Sequence, residues 1–294
     1  MAKLLAGSDI SSKIQAQIKE AVARLYQQYN QRPSLCAVAI GEQKESMLYL
    51  EFQKKIADKL NINFDLKILP ENISKENLIR LIYDLNSEKS VHGIILQLPM
   101  PEHLDANEIR SYLNPLKDVE GVHPENLGKI ILNEKGFAPC TACAVIELLK
   151  KTGKNLYGKE AVIVGHSAIV GKPLSLMLLN EFCTVTVCHI GTSEKGNLAE
   201  HVGRAEILVV AVGKPNLIKG DWIKPGAIVI DVGINCLAEG KVVGDVEFES
   251  AVKKAAFITP VPGGVGPVTV SLLMENLVKA AVLNIMLTQK AKEA

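Results

Sequence analysis

Residues 162–179, VIVGHSAIVGKPLSLMLL, change their hydrophobic period in mid-course. The apolar run up to Val164 reads as a buried strand, and Gly165 and Gly171 open and close a loop. Pro173 falls in the first turn of the helix that follows, where its fixed φ and missing N–H do no harm. A strand, loop and helix in this order set backbone N–H groups and a helix N-terminus where they can hold a phosphate. The glycine spacing is Gly-x5-Gly and not the Gly-x-Gly-x-x-Gly fingerprint, so an ordinary tight turn fits the same residues.

Working outward, the second half repeats this grammar in AVIVG (161–165), TVTVCH (184–189), EILVVAVG (206–213), AIVIDVGI (227–234) and FITPVP (257–262). Near-continuous Val, Ile and Leu runs indicate strands buried on both faces, as in a doubly wound sheet. In the first half, residues 8–29 carry Ile14, Ile18, Val22 and Leu25 on one helix face. Short strands at 35–40, 63–69 and 92–98 then alternate with helical patterns at 46–60 and 74–85, the pattern of parallel βαβ units. Residues 268–287 close the chain as a long apolar helix. The stretch 114–139, rich in Pro, Gly and Asn, marks the break between halves.

At 294 residues the chain has room for two cores. Its 48% hydrophobic and 22% charged composition is that of a folded globular protein, and a net charge of +1 gives no footprint for nucleic acid or anionic membrane. The start, MAKLLAGSDISSK, is too weakly apolar for a signal peptide, and no segment reads as the ~20 apolar residues of a membrane span. The expectation is a cytoplasmic protein with a small-molecule substrate. Six cysteines suit a reducing compartment. Cys140 and Cys143 lack a second pair at ligand spacing, so no metal site is expected.

NAD and NADP are told apart at the end of the second strand of the dinucleotide half, where an acid favours NAD. Here Cys188 to Lys195 contain no acid at the strand end. His166, Thr192, Ser193 and Lys195 can each bond a phosphate, which leans toward NADP with NAD still open, although a solvated loop explains the same residues.

Several strings now fall in order along nearly the whole chain: GIILQLPMPEH (93–103), KDVEGVHPENLG (117–128), PCT (139–141), GHSAIVGKP (165–173), GDWIKPGAIVIDVGIN (220–235), VVGDV (242–246) and TPVPGGVGPVTVSLLMEN (259–276). Together they resemble the bifunctional methylenetetrahydrofolate dehydrogenase/methenyltetrahydrofolate cyclohydrolase (FolD) family. The resemblance implies an α/β fold: an N-terminal α/β domain (1–120) for folate and catalysis, and a C-terminal doubly wound Rossmann domain (121–294). It implies a cleft between them, a last helix that packs back on the first domain, and a homodimer. Catalytic roles are implied for Tyr49, Gln53, Gln97 and Glu120, and folate contacts for Ser46, Tyr49, Leu98, Pro99, Pro262 and Gly263. Cofactor contacts are implied for Gly165, His166, Ser167, Val170, Gly171, Pro173, Ile190, Val212, Gly213 and Ile234.

The departures from the family pattern carry chemistry. The catalytic helix reads Ser-x-x-Tyr-x-x-x-Lys in the family, and here Gln53 stands at the lysine position after Ser46 and Tyr49. Lys54 follows, but one residue turns a helix by about 100 degrees, away from that face. Glu120 replaces the second acid of KDVDG, and His166 the arginine of GRS. PCTPxG is changed to PCTACA (139–144). Hydride departure needs positioning and electrostatics more than a proton carrier, whereas hydration of the methenyl cation needs proton transfers that glutamine cannot make. The expected activity is therefore an NADP-dependent dehydrogenase with weak or lost cyclohydrolase, unless Glu120 takes over. The rival is a noncatalytic paralogue that binds folate or nucleotide. Asp231, at a strand end, reads as structural.

Overall fold

The computed structural model describes residues 1–238 and 240–293, with side chains through residue 289. Its first half runs β1 (Lys3–Leu4), α1 (Ser8–Tyr29), β2 (Ser34–Ile40), α2 (Lys44–Lys59), β3 (Asn63–Leu69), α3 (Lys75–Ser87), β4 (Gly93–Leu96), α4 (Ala106–Arg110) and α5 (Pro124–Ile131). There follow α6 (Cys140–Lys151), β5 (Glu160–Val164), α7 (Gly171–Asn180), β6 (Thr184–Cys188), α8 (Ile190–Glu194), α9 (Leu198–Arg204) and β7 (Ile207–Val210). The remainder is β8 (Ile228–Asp231), β9 (Asn235–Cys236), β10 (Val242–Val243), α10 (Phe248–Ala251), β11 (Phe257–Ile258) and α11 (Val265–Glu293).

The chain packs as two compact units, each assembled from three segments. One holds residues 13–129, 135–137 and the chain from Val270 on; the other holds 1–12, 130–134 and 138–269.

In the first unit, β3-β2-β4 form a parallel sheet in which Leu35 of β2 pairs with Phe64 and Gly93. One sheet face is sealed by a core that includes Cys36, Val38, Ile94 and Leu96 with Leu78, Ile82 and Leu85 of α3. Ser74 caps α3 by accepting from the Asn77 N–H at 3.3 Å. Near Gly93 the packing is tight enough that a Cβ would stand 2.7 Å from Leu277 and Val119. The Asn276 side-chain amide donates to the Val119 carbonyl at 3.0 Å, which ties α11 to the same strand end.

The second unit carries a six-stranded parallel sheet in the order β1-β11-β8-β7-β5-β6. Strand order reverses at β5, which has β6 on one side and β7 on the other. The central strands are buried throughout, Val162, Val164, Leu208, Val210 and Val229 among them, as their unbroken apolar sequences require.

Three sequence expectations are corrected here. The stretch 114–139 contains α5, eight residues beginning at Pro124 and too short to register a period. Strand β11 stops at Ile258 instead of Pro262, because two prolines without N–H groups cannot continue the ladder. One helix is also long and apolar enough to cross a bilayer, Val265–Gln289 of α11, but more than half of it is covered by protein.

Candidate active site

Helix α2 places Ser46, Tyr49 and Gln53 at successive turns of one face. The Ser46 hydroxyl donates to the Leu98 carbonyl at 3.0 Å, and the Gln97 side-chain amide donates to the same oxygen at 2.8 Å. One backbone carbonyl thus gathers the helix and the end of β4, where Leu98–Pro99 is cis and Pro99 is exposed. Tyr49 is half-buried. Gln53 is 1% exposed, and its side-chain oxygen has no hydrogen-bond partner among the described residues. Leaving a buried carbonyl unmatched costs about 1–3 kcal/mol. Lys54 and Lys55 are both exposed, off the buried face.

The KDVEG segment divides its charges between scaffold and site. Lys117 is buried and donates to the Leu85 and Glu88 carbonyls at 2.8 and 2.7 Å, closing the C-terminus of α3. Asp118 accepts from the His123 N–H at 2.7 Å and the Asn126 amide at 2.8 Å. Glu120 is the third ionisable group of the segment. Burial first, and then the Asp118 charge, push its carboxyl up to about 7 against the opposing pull of Arg110 and a Leu96 backbone hydrogen bond. It keeps some accessible surface, so desolvation of the carboxyl and exposure of the residue coexist. A carboxyl titrating near neutrality is suited to carry protons.

In the other unit a cavity of about 310 Å³ opens at the carboxyl ends of β5, β6 and β7. That is the switch point of the sheet, where ligands of open α/β folds bind. Its walls include Gly165, His166, Ser167, His189, Ile190 and Val212. Gly165 has φ of +126°, and a Cβ there would sit 2.3 Å from the Ala211 carbonyl oxygen. A Cβ on Gly171 would fall 2.0 Å from the Gly165 oxygen, so both glycines exist to let loop, helix and strand touch. Ser167 accepts from the Val170 N–H at 3.2 Å and rounds the loop into α7. Val170, Gly171 and Pro173 form the start of α7 and lie outside the cavity lining, as does the exposed Ile234. Gly213, with φ of +66°, follows Val212 directly.

Two polar lining residues escaped the sequence reading. His189 directly follows β6 as the N-cap of α8 and stacks obliquely on His166, with ring centroids 5.3 Å apart. Lys214 joins the wall beyond β7. The strand-end position of His189 was a usable signal, whereas nothing local distinguishes Lys214. Ser193 lines the cavity, Thr192 accepts from the His189 N–H at 3.2 Å, and Lys195 is absent from the lining. Pro262 and Gly263 belong to this unit, in the turn after β11, where the Gly263 carbonyl accepts from Gly7 at 2.8 Å. Asp231, buried at the end of β8, accepts from the backbone N–H groups of Gly233, Asp245 and Val246 at 3.0, 3.0 and 2.8 Å. All six cysteines are free thiols, and among the described residues no cluster of His, Cys, Asp or Glu could hold a metal.

A parallel sheet that reverses order over a glycine-framed cavity defines a dinucleotide-binding α/β protein, here joined in one chain to a second α/β unit. The family models for tetrahydrofolate dehydrogenase/cyclohydrolase match both parts, the catalytic domain over residues 5–120 and the NAD(P)-binding domain over 139–285. The chain belongs to the tetrahydrofolate dehydrogenase/cyclohydrolase family. It is 48% identical to the bifunctional protein FolD of Acetivibrio thermocellus over 96% of this chain and 98% of that one. With its Bacillus pumilus counterpart it shares 47% identity over 95% and 98%. The crystal structure of FolD from Campylobacter jejuni superimposes with a TM-score of 0.92 at 43% identity, covering 96% of this chain and 99% of that one. The Trypanosoma brucei enzyme, complexed with NADP cofactor and inhibitor, gives 0.92 at 39% identity, covering 97% and 98%.

Proposed function

We propose that this protein oxidises methylenetetrahydrofolate to the methenyl cation with NADP as hydride acceptor, and hydrates that cation slowly. The observation that carries the reading is the cavity at the carboxyl ends of β5, β6 and β7, in a chain that matches the family end to end. NADP, when bound, supplies the hydride acceptor. The loop from Ser167 to Gly171 and the start of α7 hold its pyrophosphate, and His166 reads the ribose phosphate.

On the folate side, Glu120 and the carbonyl cluster of Ser46, Gln97 and Leu98 orient the pterin, with Pro99 at its edge. Tyr49 and Gln53 set the methylene carbon. Nitrogen lone-pair donation drives hydride loss, so positioning by neutral groups is enough for that step. Ring opening needs a proton carrier, and Glu120 is the group with a suitable pKa. The reading includes a cytoplasmic homodimer.

The test is purified protein with methylenetetrahydrofolate and NADP or NAD, followed by absorbance of the methenyl product, with methenyl hydrolysis measured separately over buffer. NADP-dependent turnover with hydrolysis far below it is the expected result. Nucleotide and folate binding without turnover would replace this reading by a noncatalytic one. Sedimentation at monomer mass would remove the homodimer.

A further inference from the structure

Asp245 is 0% exposed, and its carboxylate is spent on backbone and amide hydrogens. One oxygen accepts from the successive N–H groups of Val212 and Gly213 at 2.7 and 3.0 Å, and the other accepts from the Asn235 side-chain amide at 2.9 Å. The segment that bears it is fixed from behind by Asp231, which receives the Asp245 and Val246 N–H groups. Glycines make room for both acids. A Cβ on Gly233 would lie 2.2 Å from the Asp245 carboxyl, and one on Gly244 would lie 1.9 Å from that of Asp231.

We propose that Asp245 is a positioning residue for the dinucleotide: its carboxylate sets the Val212–Gly213 turn, which walls the cavity, and couples that turn to the Asn235 segment after β8. This rests on the dinucleotide reading of the cavity and deepens it. Two adjacent N–H groups at a strand end form a concavity suited to an anion, and here the protein fills it with its own carboxylate. Val212 and Gly213 therefore offer no backbone donors to a phosphate. The pyrophosphate takes its donors from the loop before α7, and Val212 contributes shape alone.

An Asp245→Asn side chain can turn its oxygen to the two N–H groups only by facing its NH2 toward that of Asn235. The turn loosens, and charge-assisted bonds of this kind are strong enough that their loss reads as roughly tenfold weaker NADP binding. The expected outcome is a tenfold rise in Kd and KM for NADP, with the folate KM and the saturated kcat little changed. Faster deuterium exchange at the Val212 and Gly213 amides should accompany it. A merely structural role would lower the folded fraction, and so kcat, while leaving the NADP Kd of the folded protein unchanged; that result overturns the proposal. If Asp245→Asn fails to fold, Asn235→Ala releases one carboxylate oxygen and should weaken NADP by a smaller factor, and an unchanged Kd there overturns it equally. Wild-type protein that binds neither NADP nor NAD in calorimetry would instead defeat the dinucleotide reading itself.

Discussion

Gln53 combines full burial with an unmatched side-chain oxygen on the helix face it shares with Ser46 and Tyr49. Gln53→Lys should raise methenyl hydrolysis well beyond its effect on dehydrogenation, because only hydration uses an ionisable group there. Parallel initial rates of the two reactions check this, and equal changes in both would contradict the role. With glutamine in place, residual hydrolysis falls to Glu120, whose carboxyl ionises near 7. That rate, corrected for buffer, should climb as pH rises through about 7, and Glu120→Gln should flatten the climb. His166 gives a third expectation, that His166→Ala weakens NADP more than NAD, because only NADP carries the ribose phosphate. Calorimetric titrations of both nucleotides with the two proteins decide it, and equal weakening would contradict the role. Gln53 and His166 stood out in the sequence only through the family resemblance. The orphaned oxygen of Gln53 and the anchoring of Lys117 did not stand out at all, since both depend on residues distant in sequence.

Among the elements, the seam between β5 and α7 is the most constrained. Gly165 and Gly171 press backbone on backbone, so there is no flexible side chain to yield when volume is added. Gly171→Ala should cost about 1–3 kcal/mol of stability through overpacking and weaken NADP by an order of magnitude or more as α7 shifts. Denaturant titration and nucleotide binding measure the two effects, and unchanged values of both would show that the loop relaxes freely. The strand runs were read correctly in kind but too long. Residues 206–213 and 227–234 contain β7 (Ile207–Val210) and β8 (Ile228–Asp231), each ending where the chain turns to meet a buried acid. No local pattern marks that end, because the acid that stops β7 is Asp245, more than thirty residues on.

For the whole molecule, the two buried acids with raised pKa values shape stability against pH. Asp231, pushed up to about 7 by burial and then by the Asp245 charge, against the backbone N–H groups that favour its ionised form, holds its proton in the fold at pH values where the unfolded chain has released it. The native state binds more protons between the ordinary 3.8 and about 7, so unfolding free energy falls as pH rises through that window. Glu120 adds to the same slope. The exposed Glu76, Glu88 and Glu125 and the half-buried Glu206 and Glu247 are shifted downward and act only at the acid end, below 4.5. Denaturation midpoints across the range should decline toward neutrality, and Asp231→Asn should lessen the decline; a wild-type midpoint that rises from mild acid to neutrality would refute this. The sequence by itself determined the α/β class, the parallel grammar of both halves, the glycine-framed loop before α7 and the family resemblance, because period and turn chemistry are local and survive in one dimension. Only the tertiary structure decided that residues 1–12 pack with the dinucleotide unit and that Asp245 serves the turn after β7. Those outcomes follow from burial and from hydrogen bonds that must be satisfied across long sequence separations, and such pairings leave no periodic trace in the chain.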